Sequence, residues 1–172
     1  AGIVTKSGIT GSVTGSHQFN TVGIYTVNLT VTDSKGTATT ASSTDFVVIY
    51  DPEGQFVTGG GGYTSVAGLY LPDPTLTGKA SYGFNAKYKK GTMIPEGNTE
   101  FKIKEKKGEK VKFKATSYDW LVISGAKATF RGSGTIDKEG NYGFLISCID
   151  GTLAGTDDKI RVSIWNKATN AV

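Results

Sequence analysis

Residues 23–33 read GIYTVNLTVTD. Tyr25, Val27, Leu29 and Val31 alternate with Thr26, Asn28, Thr30 and Thr32. A period of two predicts a strand with one apolar face and one Thr-rich face. Asp33-Ser34-Lys35-Gly36 follows, with Asp first and Gly last, the signature of a tight turn. A second strand then ends in Phe46, Val48 and Tyr50. The stretch predicts a β-hairpin, and its alternation sets the fold class.

The rest of the chain is composed in the same way. It has 172 residues, 24 Gly and 4 Pro, room for one large β domain or two small ones. A hydrophobic content of 37% predicts a thin, sheet-like core. No window repeats apolar residues at helical spacing over three turns. The fold class is therefore all-β. Beyond residue 53, strands are predicted around 54–58, 78–88, 98–106, 109–118, 120–124, 126–136, 140–149 and 159–166. The turn signals KKG, SGAK, DKEGN and AGTDD separate several of them. That spacing predicts an antiparallel sandwich or jelly-roll-like domain over 53–172, after a first segment over 1–52. Gly59–Gly62 is predicted to be a bend between domains or a strand crossing between sheets.

Charge and composition exclude several functions. The net charge is +4, and ten of the nineteen basic residues fall between Lys87 and Lys114, which predicts a basic patch rather than a uniformly basic protein. Arg131 and Arg161 are the only arginines, too few for a nucleic-acid reader that depends on bidentate contacts. One cysteine excludes an internal disulfide framework. No apolar run reaches the ~20 residues of a membrane span. The opening AGIVTKSGIT is strand-like, as in a mature product or a fragment.

The stretch SHQFNTVGIYTVNLTVTDSKGTA resembles the C-terminal half of a PKD domain, an immunoglobulin-like β-sandwich module of extracellular proteins. His17, Phe19, Gly23, Tyr25, Val27, Leu29, Val31 and Asp33 carry the pattern. The Trp-containing strand and Gly-Asp-Gly turn of that family's N-terminal half have no counterpart here. A sandwich without its first strands exposes apolar faces and edges, so a truncation, cover from the second domain or strands from another chain are all expected solutions. The stretches FVTGGGGYTSVAGLYLPDPTLTGKASYGFNAKYKKG, TSYDWLVISGAKATFRGSGTI, NYGFLISCIDG and DKIRVSIWNKATNAV resemble a β-rich region that often follows a PKD domain in large secreted or surface bacterial proteins. Many relatives have Trp after the glycine run where this chain has Tyr63, and relatives tend to continue beyond the end of this chain. The resemblance implies an extracellular or cell-surface location and no catalytic residues.

Candidate chemistry is sparse. The glycine run lacks the GK[ST] ending and the following helix of a phosphate loop. His17 is the sole histidine and is expected on a structural strand, which leaves no His-based triad or zinc site. Cys148 shares a strand face with Tyr142, Phe144 and Ile146 and is expected in the core. Asp150, Asp157 and Asp158 flank one oxygen-rich loop of the kind calcium favours, so calcium is the only cofactor the sequence suggests. The acidic turn Asp137–Asn141 is the weaker candidate. Tyr63 and Tyr70 are candidate stacking platforms for a sugar. By their period-two phasing, Tyr82 with Phe84 and Tyr118 with Trp120 are expected in the core.

The basic excess centres on FKIKEKKGEKVKFK, Phe101–Lys114. Placing all apolar residues on one face requires Phe101 opposite Phe113 and Ile103 opposite Val111. A three-residue loop, Lys106-Lys107-Gly108, with a left-handed residue at Gly108, achieves this. Lys102 then opposes Lys112, and Lys104 opposes Lys110. Opposed like charges cost some tenths of a kcal/mol per pair. The ribbon is expected to deter pairing with another sheet, or else to face an anionic ligand. The combined expectation is a non-catalytic structural or adhesion module. Its partners would be domains of the same polypeptide, neighbouring surface proteins or an anionic polysaccharide. A carbohydrate-binding accessory module and a self-assembling filament or surface-array subunit are the alternatives.

Overall fold

The computed structural model describes residues 2–53, 56–70, 72–104, 108 and 110–171. The all-β expectation holds, with 65% of the described residues in strands and 2% in helix. Two hairpins come first. β1 (Ile3–Ser7) pairs with β2 (Thr10–Thr14), and β3 (Gly23–Thr32) pairs with β4 (Ala38–Ile49). Then come β5 (Phe56–Ser65), β6 (Gly78–Tyr88), β7 (Pro95–Lys104), β8 (Lys110–Ser124), β9 (Lys127–Ile136), β10 (Glu139–Ile149), helix α1 (Gly151–Ala154) and β11 (Lys159–Asn166). β5 to β11 form one curled antiparallel sheet in which each strand pairs with its neighbour in sequence.

The quoted hairpin forms as its alternation predicts. Asp33 closes the turn: its Oδ1 accepts N–H bonds from Lys35 and Thr37, both at 2.8 Å, and Gly36 takes φ +88°. Its apolar row is not covered. Val27, Leu29 and Val31 are each about half exposed, and Ile3 and Val4 of β1 are more exposed still. His17 lies on no strand; it sits in the connection from β2 to β3, edge-on to Phe19.

The core lies inside the curl. Phe113, Phe130 and Phe144 are almost fully buried, with rings 5.5–6.1 Å apart where Phe144 meets the other two. Burying one such ring contributes about 2–3 kcal/mol. Phe84, Ala86, Tyr88, Tyr118, Leu121 and Ile146 complete the cluster, and Cys148 packs against it, as its strand phase predicts. Tyr50, just after β4, stacks on Tyr88 at 5.1 Å and links the second hairpin to this core.

Two further expectations fail for physical reasons. The glycine run is neither bend nor crossing; Gly59–Gly62 lie within β5, opposite Ser81–Phe84 of β6. A Cβ on Gly59 would stand 2.6 Å from the Phe84 ring, and one on Gly61 would stand 2.8 Å from the Tyr82 hydroxyl. The aromatic side chains of β6 occupy the room that side chains on β5 would need, so a normally poor strand former becomes the residue that fits. Tyr118 and Trp120 do not share a face. β8 is one strand with register shifts at Ala115/Ser117 and Tyr118/Trp120. Tyr118 stays buried, while Trp120 lines an outer groove with Arg131 and Trp165. A bulge inserts one residue and so inverts the alternation beyond it.

Gly59→Val should therefore cost about 1–3 kcal/mol of unfolding free energy. Gly83→Val, at a position where an added Cβ meets nothing within 4 Å, should change it by less than about 0.5 kcal/mol. Urea denaturation of the two variants measures the contrast.

Candidate functional site

The lysine ribbon has the predicted register: Phe101 opposes Phe113, Lys102 opposes Lys112, Ile103 opposes Val111 and Lys104 opposes Lys110. Gly108 takes φ +92°, as the loop requires; Lys106 and Lys107 lie outside the described residues. Ile103 and Phe113 are buried, which puts Lys102, Lys104 and Lys112 on the outer face.

That face is wider than a hairpin. Lys79 of β6 stands opposite Lys104, so the rows cross three strands. Lys79 escapes sequence reasoning because it sits 23 residues before Lys102; only the pairing of β6 with β7 brings it into line. Glu100 stabilises the ladder. Its carboxylate reaches Lys102 Nζ at 2.7 Å and Lys112 Nζ at 3.4 Å. The hydrogen bond from Lys102, with that from Lys112 and the charge of both lysines, lowers the Glu100 pKa against a smaller opposing effect of burial.

The deterrent role predicted for the ribbon does not hold. β7 is paired with β6 and β8, and β8 with β7 and β9. Neither strand is an edge, so the lysines guard none. They form a charged surface on the middle of the sheet.

Tyr63 and Tyr70 line a groove of about 630 Å³ on the inner side of the curl, together with Tyr82, Phe101, Tyr142 and Val162. Burial raises both phenol pKa values; Tyr82 adds to the effect at Tyr63, and Tyr142 at Tyr70. The two tyrosines and the lysines therefore lie on opposite faces and do not form one site.

The Asp150/Asp157/Asp158 loop is organised by its own backbone. Asp150 is the N-cap of α1, and its Oδ1 accepts the Leu153 N–H at 3.1 Å. Asp158 Oδ1 accepts the Gly151 N–H at 2.7 Å, and Asp157 supplies its backbone carbonyl to Thr156 Oγ1. A calcium ion here would compete with two backbone hydrogen bonds. Among the described residues, no three of His, Cys, Asp and Glu group closely enough to hold a metal ion. In the other acidic turn, Asp137 Oδ1 accepts the Lys112 N–H at 3.1 Å. Burial pushes the Cys148 thiol pKa up, which is opposite to what a nucleophile needs.

The most strongly shifted group is Tyr88, whose pKa burial pushes up to about 12. Its hydroxyl accepts the Leu121 N–H at 2.9 Å and donates to the Leu121 carbonyl at 3.0 Å. One phenol thus satisfies both backbone groups of a residue next to the Tyr118/Trp120 bulge. This role is structural.

A family model of the PKD domain matches residues 7–49. The chain thus contains a PKD-type segment, spanning β2 to β4 and the end of β1. No curated protein and no solved structure matches the chain. Among the described residues, no helix is long and apolar enough to cross a membrane.

Tyr88→Phe should cost about 1–3 kcal/mol, because it leaves a buried N–H and C=O without their partner. In the parent protein the folded phenol keeps its proton up to about pH 12, whereas an unfolded one loses it near pH 10. Stability should hold below pH ~10 and fall as pH rises toward 12, because the folded state then binds the extra proton. Thermal melts across that range should show a shallower decline in the variant.

Proposed function

We propose that this chain is a non-catalytic structural and adhesion module of a secreted or cell-surface bacterial protein. The observation that carries this reading is the PKD-type segment at residues 7–49 joined to an antiparallel sheet. PKD domains are non-catalytic Ig-like modules that usually occur in extracellular proteins. Three groups with raised pKa values support the same reading: Tyr88, Tyr118 and Cys148 bond to backbone or to a neighbouring hydroxyl within the core. In this reading the chain divides into units 1–52 and 53–172, with Tyr50 on Tyr88 as the tie between them. A fragment covering 53–172 should unfold cooperatively by itself, since every member of the buried aromatic cluster lies between Phe84 and Ile146. A fragment covering 1–52, with its apolar row exposed, should not. Non-cooperative melting of the longer fragment would overturn the division. Turnover of ester, peptide or glycosidic substrates by the whole chain would overturn the non-catalytic reading.

A second reading is favoured by the lysine rows. Like charges facing each other across three interior strands are unfavourable to the sheet itself. Lys79, Lys102, Lys104 and Lys112 suit an anionic polysaccharide on that face. Retention on immobilised heparin at about 10 mM salt should be largely lost at about 150 mM, where screening is strong. The Lys102→Gln/Lys112→Gln double variant should elute earlier with an unchanged melting temperature. Equal retention on a neutral glucan would sink this reading.

A further inference from the structure

β5 and β11 are the outer strands of the curled sheet. Between them lie five strands, each antiparallel to its neighbour, so the two outer strands run parallel to each other. Both border the same opening. Val57, Gly59 and Gly60 of β5 and Ile160 of β11 line a groove of about 510 Å³. Tyr63 of β5, with Val162 and Ile164 of β11, lines the adjoining groove of about 630 Å³. Among the described residues, no strand pairs with the outer edge of either.

The backbone after β11 shows what that edge accepts. The Lys167 N–H donates to the Asn141 carbonyl at 3.0 Å, toward β10. The Asn166 N–H donates to the Ala171 carbonyl at 2.8 Å. Successive residues of a strand direct their N–H groups to opposite sides. Asn166 therefore faces the opening, and so do the N–H groups of Ile164 and Val162. The chain turns through Lys167–Asn170, with Asn170 at φ +55° and its N–H bonded to the Asn166 carbonyl at 2.8 Å. The Asn166 N–H on that edge thus already takes a backbone carbonyl as its partner.

We propose that the opening between β5 and β11 is an acceptor site for an extended peptide strand with apolar side chains at alternate positions, running antiparallel to both edges. Because the two edges run the same way, one strand meets both in the same sense, and the antiparallel sense continues the pattern of the sheet with the more stable pairing. Adding it brings the sheet to eight strands, about the size at which side chains fill a barrel interior. Alternate residues of the guest point inward onto Ile160, Val162, Ile164 and the Phe101 ring, and the others point to water. Gly60 and Gly62 on β5 place no side chain on its outer face beside the approaching strand. Recognition is by strand addition: backbone bonds supply affinity, and alternation supplies selectivity. This site is distinct from the lysine face and independent of the readings proposed above.

The test uses the full chain and a fluorescein-labelled peptide copying Gly23–Thr32, GIYTVNLTVT, which has the required alternation. Anisotropy should show saturable binding, and hydrogen exchange should slow in 56–65 and 159–166. The same peptide N-methylated at alternate residues should bind at least about tenfold more weakly, because several backbone bonds are lost. A peptide of the same composition with its apolar residues contiguous should also bind more weakly. Val162→Pro removes an outward N–H without removing a bond to β10, and Pro is tolerated on edges. It should weaken binding about fivefold, and more than Val162→Ala, which loses the same core packing but keeps the N–H. Absent binding, equal affinity for the methylated peptide, or protection confined to β1–β4 would overturn the proposal.

Discussion

Phe144 and Phe113 lie over Gly132 and Gly134 of β9, and the shape of the sheet depends on that fit. A Cβ on Gly132 would stand 2.7 Å from the Phe144 ring, and one on Gly134 would stand 2.5 Å from the Phe113 ring. With hydrogen there instead, the rings settle against backbone and the sheet bends around them. Trp165 repeats the device over Gly143 on the outer face. A tightly curled sheet needs residues without side chains on its concave side, where space closes fastest. The 24 glycines of this chain therefore include packing partners for aromatic rings as well as turn formers.

The curl separates two surfaces of different chemistry. Inside, rings and branched aliphatics line grooves that open between β5 and β11. Outside, lysines cross three strands and are joined by Glu100. The PKD-type hairpin approaches the outer face, where Ile24 and Phe46 share a groove with Trp120 and Arg131. Arg131 also lies 5.3 Å over the Trp165 ring, a cation–π geometry. Recognition of a charged polymer would thus occur on the outer face, and recognition of an apolar strand in the opening between the outer strands.

Much of this could be read from residue order, because alternation is a local signal. The register of Phe101–Lys114 followed from keeping Phe, Ile, Val and Phe on one side, and the limits of β6 and β11 were legible to the residue. What escaped depends on a neighbouring strand. The glycine run looked too flexible for a strand interior until Tyr82 and Phe84 were placed across from it. The bulge before Trp120 leaves no mark in the sequence, since Tyr-x-Trp reads as alternation whether or not a residue is inserted. Lys79 joins the basic face only through its partner strand. The Asp150 loop carries the residue types of a cation site, yet two of its carboxylates are already engaged by N–H groups of the helix they flank. In every case but this loop, whose bonds span only three and seven residues, the deciding contact is non-local.

The order of the seven strands also bears on how the chain acquires its structure. Each strand pairs with the one made just before it, through turns as short as Gly125-Ala126 and Asp137-Lys138. Loop closure then costs little entropy at every step, because no pairing waits for a distant segment. Sheets with such local contacts fold faster than those whose neighbouring strands are far apart in sequence. A chain emerging from a ribosome can add one strand at a time to a growing edge.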